Sequence, residues 1–189
     1  MASEVGICNS ALIKIGAARI TSLTEGSKNA NLCNEQYAKL RDSELRGHTW
    51  NFAKTRVKLA QISGAPVSGF DYHYQLPTDW LRAIAAYDSD ADQGVLTYEI
   101  KGDRLLADST DVYLVYVRQV TDPNDMDAMF REALAYRLAA ELAIPIASSG
   151  SLHDRMMRGF GSALRRAKSA DAIEDFPEQF PSSPWVTGR

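Results

Sequence analysis

Residues 95–117 read VLTYEIKGDRLLADSTDVYLVYV, and the period of this stretch decides what kind of fold the chain can have. Side chains of an extended chain alternate between two faces, so Leu96, Tyr98 and Ile100 share one face while Thr97 and Glu99 take the other. Gly102-Asp103, between Ile100 and Leu105, has the residue types of a two-residue hairpin turn. Residues 112–117 are apolar on both faces, which predicts a covered central strand. Toward the N-terminus the same period continues. Val57 and Leu59 alternate with Arg56 and Lys58; Gly64, Pro66, Ser68 and Gly69 mark a break; residues 72–76 extend until Pro77 stops them. With 82–87 and 104–107, residues 52–118 are expected to form one antiparallel sheet.

On both sides of this segment the period is helical. Val5, Cys8, Ala11, Leu12 and Ile15 recur at helical spacing behind a Ser3 cap, and Gly16 stands where a helix ends. A second helix is expected over 28–48, with Ala30, Cys33, Tyr37, Leu40 and Leu45 as its apolar stripe and a charged opposite face. After Pro123, Met126, Met129, Phe130, Ala133, Leu134, Leu138 and Leu142 form a third stripe, whose end Pro145 limits. Ser151 opens a fourth helix reaching about Asp171. The remaining stretch, FPEQFPSSPWVTGR, has three prolines and no period. The expected architecture is therefore α+β: a four-helix bundle (1–51 and 119–175) with an antiparallel β-sheet inserted between helices 2 and 3 (52–118), plus an extended C-terminal tail (176–189).

Composition narrows the function. The 189 residues carry 21 Lys and Arg against 24 Asp and Glu, a formal charge of −3. A free-standing DNA binder is usually basic, because phosphate neutralisation supplies most of its affinity. No apolar run approaches the roughly 20 residues of a membrane span, and the N-terminus lacks a secretory pattern, so synthesis in the cytosol is expected. Cys8 and Cys33 form no close pair in sequence and read as reduced, buried helix residues.

Catalytic motifs are lacking: there is no phosphate loop, dinucleotide fingerprint, nucleophile elbow or HExxH. Cys33 and His48, placed on one helix, would lie about 22 Å apart along its axis. Proton transfer needs about 3 Å. The cysteines and His48, His73 and His153 lack zinc-ligand spacing. Asp88 with Asp90, and Asp122 with Asp125, read as turn acids rather than a glycosidase pair. No metal or cofactor is expected. The fourth helix is more informative. Leu152, Met156, Phe160, Ala163, Leu164 and Ala167 fall on one side, and Arg155, Arg158, Arg165 and Arg166 fall within a separate arc of roughly 100°. That arc is either a solvated face or a contact for acidic partner surfaces or passing phosphates. Phe176, Phe180 and Trp185 either fold back on their own domain or dock on another chain.

The N-terminal stretch from Asn9 to Ala60 resembles the opening of the phage tail tubular protein A family. The resemblance rests on the Ile15-Gly16 helix end, a loop with Ser22-Leu23 and Glu25-Gly26, and a helix with Cys33, Tyr37 and Arg41-Asp42. Trp50-Asn51-Phe52-Ala53, Arg56, the segment YQLPTDWLR at 74–82 and Trp185-Val186 continue it along the chain. The N-terminal half is its most specific part and 88–111 its least. The resemblance implies a structural head-to-tail adaptor, or gatekeeper, of a short-tailed phage. Such a protein is made in the host cytoplasm and resides in the virion. It forms a twelve-fold ring under the portal protein, meets the tail nozzle or other tail proteins below, and retains and passes double-stranded DNA without sequence-specific binding or membrane contact. On that reading Phe176, Phe180 and Trp185 bind the portal, and the arginine arc is a subunit or partner interface. The alternative is a virion-associated peptidoglycan hydrolase, which would need an acid pair held in a cleft. A cellular DNA-binding protein would need a basic balance and a groove-reading motif.

Overall fold

The computed structural model of the protein describes residues 1–66, 69–90 and 94–174. Two helices come first, α1 (Glu4–Lys14) and α2 (Lys28–Arg46), and a 3₁₀ turn at Asn51–Ala53 follows. Six strands come next: β1 (Lys54–Lys58), β2 (Tyr72–Gln75), β3 (Trp80–Tyr87), β4 (Tyr98–Lys101), β5 (Arg104–Ala107) and β6 (Tyr113–Arg118). The described part closes with α3 (Ala128–Ala147) and α4 (Gly150–Glu174).

The expectation of a four-helix bundle with one inserted sheet is corrected. The strands form two small antiparallel sheets of three, ordered β1-β6-β3 and β2-β5-β4. All six precede α3 and α4, which occupy the C-terminal side. Nor do the helices close into a bundle of their own. α3 is the hub on which α1, α2 and α4 each make their main helix contact. The first sheet joins their core directly, because Ala53, Val117 and Val120 are fully buried in the same cluster as Leu12, Trp50 and Leu138.

The physical reason lies in β6. Leu114 and Tyr116 face the second sheet, in a core with Tyr74, Leu105 and Ala107, while Val117 faces the helices. A strand buried on both faces joins two layers, whereas an inserted sheet would bury one. Pro77 separates β2 from β3, and β3 carries two register shifts, between Trp80 and Arg82 and between Ala83 and Ala85. These breaks divide the strands between two sheets. The hairpin at Gly102-Asp103 forms between β4 and β5, with Lys101 opposite Arg104 and Gly102 at φ 62°, where a Cβ would be strained.

Side-chain caps fix the helix starts. Ser3 Oγ accepts from the Gly6 amide, Ser27 Oγ from Ala30, and Asp127 from both Met129 and Phe130. Each cap is worth about 1 kcal/mol. Pro145 does not end α3, which continues to Ala147 and stops at Ser148 in the left-handed region (φ 50°). The ring clashes with the turn before it, not the turn after it, so two more residues fit. α4 also overruns its expected end, extending to Glu174.

Candidate functional site

α4 holds the arrangement with the clearest functional content, and it begins with packing. Met156, Ala163 and Ala167 are buried beneath it, with α3 as its principal partner. The approach is close at Gly159. A Cβ built there would lie 2.7 Å from two ring carbons of Tyr136 on α3. Tyr136 is in turn covered by Lys14, whose Nζ sits 4.0 Å from the ring centroid and 2.8 Å from Glu132 Oε1.

The C-terminal end of α4 is tied to the α2–β1 connection. Asp171, 8% exposed, accepts from the Asn51 amide at 2.8 Å through Oδ1, and its Oδ2 lies 3.1 Å from His48 Nε2. Asn51 Nδ2 also donates to the Asp171 carbonyl at 2.7 Å. His48 stacks edge-on against Trp50, whose indole N–H donates to the Glu44 carbonyl at 3.1 Å. Trp50 continues the aromatic cluster to Phe52 and Phe130, with centroids 5.8 and 5.0 Å away. The same connection reaches the first sheet, since Arg82 donates to Thr49 Oγ1 at 2.7 Å and Arg46 to the Leu81 carbonyl. His48 through Ala53 is thus the junction of helices and sheet.

Further residues of the quoted resemblance also have structural work. Glu25 accepts from Ser27 Oγ at 2.6 Å and from the Thr21 amide and hydroxyl at 2.7 Å, and these hydrogen bonds hold its carboxyl down at about 2. Asn9 clamps Ile20 both ways, donating to its carbonyl at 2.9 Å and accepting from its amide at 2.8 Å.

Cys8 and Cys33, distant in sequence, meet across α1 and α2 with both side chains fully buried. The hydrogen bond that Cys8 donates to Cys33, together with burial, pushes the Cys8 thiol well up. Cys33 and His48 therefore have separate partners, Cys8 and Asp171. Among the described residues no three His, Cys, Asp or Glu side chains converge as metal ligands. No helix of the described residues is long and apolar enough to cross a membrane.

The face of α4 turned from α3 is exposed and basic. Arg155, Arg158, Arg165 and Arg166 are all exposed, and none makes an ion pair or hydrogen bond with a described residue. Arginines elsewhere on the helices are engaged: Arg41 with Asp42, Arg131 with the Pro123 and Met126 carbonyls, and Arg137 with Glu44 and Glu141. Two shallow hollows lie along the arc. The first has Ser149, Ser151, Arg155 and Arg158 on its wall, and the second Ser162, Arg165, Arg166 and Ser169. Met129 and Ile173, 47% and 82% exposed, border the second hollow. Phe176, Phe180 and Trp185 lie outside the described residues. Sequence periodicity finds the arginine arc. It does not find the Asp171 junction, whose partners are 120 and 123 positions apart.

No protein-family model matches this sequence, and no curated protein matches it.

Proposed function

We propose that the chain is a structural subunit of a phage connector, a head-to-tail adaptor that assembles as a ring beneath the portal, joins capsid to tail, and retains and passes the genome. The single observation that carries the reading is the state of α4. A 25-residue helix packed mainly on α3 leaves a long outer face whose arginines have no ion-pair partner among the described residues, with exposed Ile173 beside them. Such a face suits a connector subunit, which has both neighbouring subunits and passing nucleic acid to contact. The sequence resemblance to tail tubular proteins over Asn9 to Ala60 also supports the reading.

On this reading the protein is made in the host cytoplasm, resides in the virion, needs no cofactor and contacts no membrane. It has no hydrolytic activity of its own. Phe176, Phe180 and Trp185 are the portal-docking residues, and tail proteins meet the ring's other side. The test is negative-stain electron microscopy of the purified protein with its portal. Twelve-fold rings seated on the portal are expected, and they should be lost on deleting residues 176–189. Failure to assemble under any condition, or clearing of peptidoglycan that disappears when one acid is replaced, refutes the reading.

A further inference from the structure

The outer arc of α4 has an electrostatic problem that the described chain does not solve. The protein has 24 acids and a net charge of −3, yet four arginines project from one helix and none forms an ion pair with an acid among the described residues. Of the helix's own acids, Asp171 and Glu174 point away from the arc and Asp154 lies at its edge, at 100° per residue. Between the arginines, on the same arc, stand Ser151, Ser162 and Ser169, all exposed. From Arg155 to Arg166 the arc runs about 16 Å along the axis, at 1.5 Å per residue.

We propose that this arc contacts the phosphate backbone of double-stranded DNA, with the arginines as charge partners and the serines as hydroxyl donors. The identity of the nucleic acid rests on the connector reading; the phosphate chemistry rests on the helix alone. Arginine and serine are residue types that bind phosphate oxygens, and such contacts read no sequence. A protein partner fits less well. Protein interfaces are enriched in aromatics and depleted in serine, whereas this arc interleaves its arginines with three exposed serines and has no aromatic side chain. Guanidinium groups also suit phosphate geometrically, because each can offer two parallel N–H donors. The overall negative charge keeps the contact weak. Weak contact is what a strand that must later move requires.

The test is fluorescence anisotropy of a labelled DNA duplex of about 20 base pairs with the full-length protein, over a series of salt concentrations. If four phosphates are engaged, log K falls against log salt with a slope of about −3 to −4. The variant with Arg155, Arg158, Arg165 and Arg166 all changed to alanine loses at least tenfold in affinity at low salt, and its slope flattens. Changing the same four residues to lysine restores much of both. Circular dichroism melts confirm that each variant is folded, as the exposure of all four positions leads one to expect. Equal DNA binding by the alanine variant overturns the proposal. So does absence of DNA binding in a wild type whose self-association the alanine variant abolishes, which makes the arc a protein interface. Ring formation is scored separately by electron microscopy. A chain that binds DNA through the arc but forms no ring refutes the connector and leaves the phosphate surface standing; rings without arc-dependent DNA binding do the reverse.

Discussion

Asp171→Ala removes a carboxylate that holds α4 to the α2–β1 connection, and its effect can be worked from the geometry. The wild-type side chain accepts from the Asn51 amide at 2.8 Å and sits 3.1 Å from His48 Nε2. Hydrogen bonds to a charged acceptor contribute about 1.5–3 kcal/mol, and a donor left without a partner in a buried place costs about 1–3 kcal/mol. The two effects overlap, and water can reach the 29% exposed His48 side chain, so their sum overstates the loss. A cost of about 2–4 kcal/mol follows, which lowers Tm by roughly 5–15 °C for a domain of this size. The assay is urea unfolding followed by far-UV circular dichroism, with an unchanged m-value as the sign that the folded state is otherwise intact. Asp171→Asn keeps an acceptor for the Asn51 amide and should lose less than half as much. Combining Asp171→Ala with His48→Ala should cost less than the two single changes together, because they remove one shared contact. Amide exchange in the last two turns of α4 should quicken. An Asp171→Ala protein within about 0.5 kcal/mol of wild type would show that the junction is incidental.

Gly159→Ala places a methyl group against the Tyr136 ring and should cost about 1–3 kcal/mol, despite the better helix propensity of alanine; differential scanning calorimetry measures it. Asn9→Ala leaves the Ile20 amide and carbonyl unpaired in a partly buried place and should cost about 1–3 kcal/mol in the same urea assay. Glu25 has a carboxyl lowered from 4.5 to about 2 by its bonds from Ser27 and Thr21. A depressed folded-state value stabilises above the unfolded one, so the contribution is full above pH 4.5 and is lost as pH falls toward 2. NMR signals of Thr21 and Ser22 should shift through that window, and Glu25→Gln should remove the dependence.

The sequence made local structure legible where a single period dominates. The stripes of α1, α2 and α4 and the Gly102-Asp103 hairpin follow from spacing alone, and so does the arginine arc, because helical geometry fixes which side chains share a face. Partner choice was not legible. β6 reads as apolar on both sides, but its composition does not say that Leu114 meets a second sheet while Val117 meets helices. Alternation assigns a strand without naming its neighbour, and so two sheets read as one. Pro145 misled for a different reason: near a C-terminus the missing amide removes one bond without preventing the next turn. The Asp171 junction and the thiol contact join positions far apart in the chain, and neither has a local signature. Of the α4 arc, the charge was visible and its lack of ion pairs among the described residues was not.

The contact between Cys8 and Cys33 also makes the chain a convenient host for chemical probes. Both native thiols are fully buried, and they are the only two cysteines in the sequence. A maleimide must reach the sulfur it attacks, so burial shields both native thiols. A cysteine introduced at exposed Ser162, midway along the outer face of α4, would take up a fluorophore or spin label selectively in the otherwise unaltered protein. Distances between such labels in neighbouring copies, or between label and bound duplex, would then map what lies against that helix.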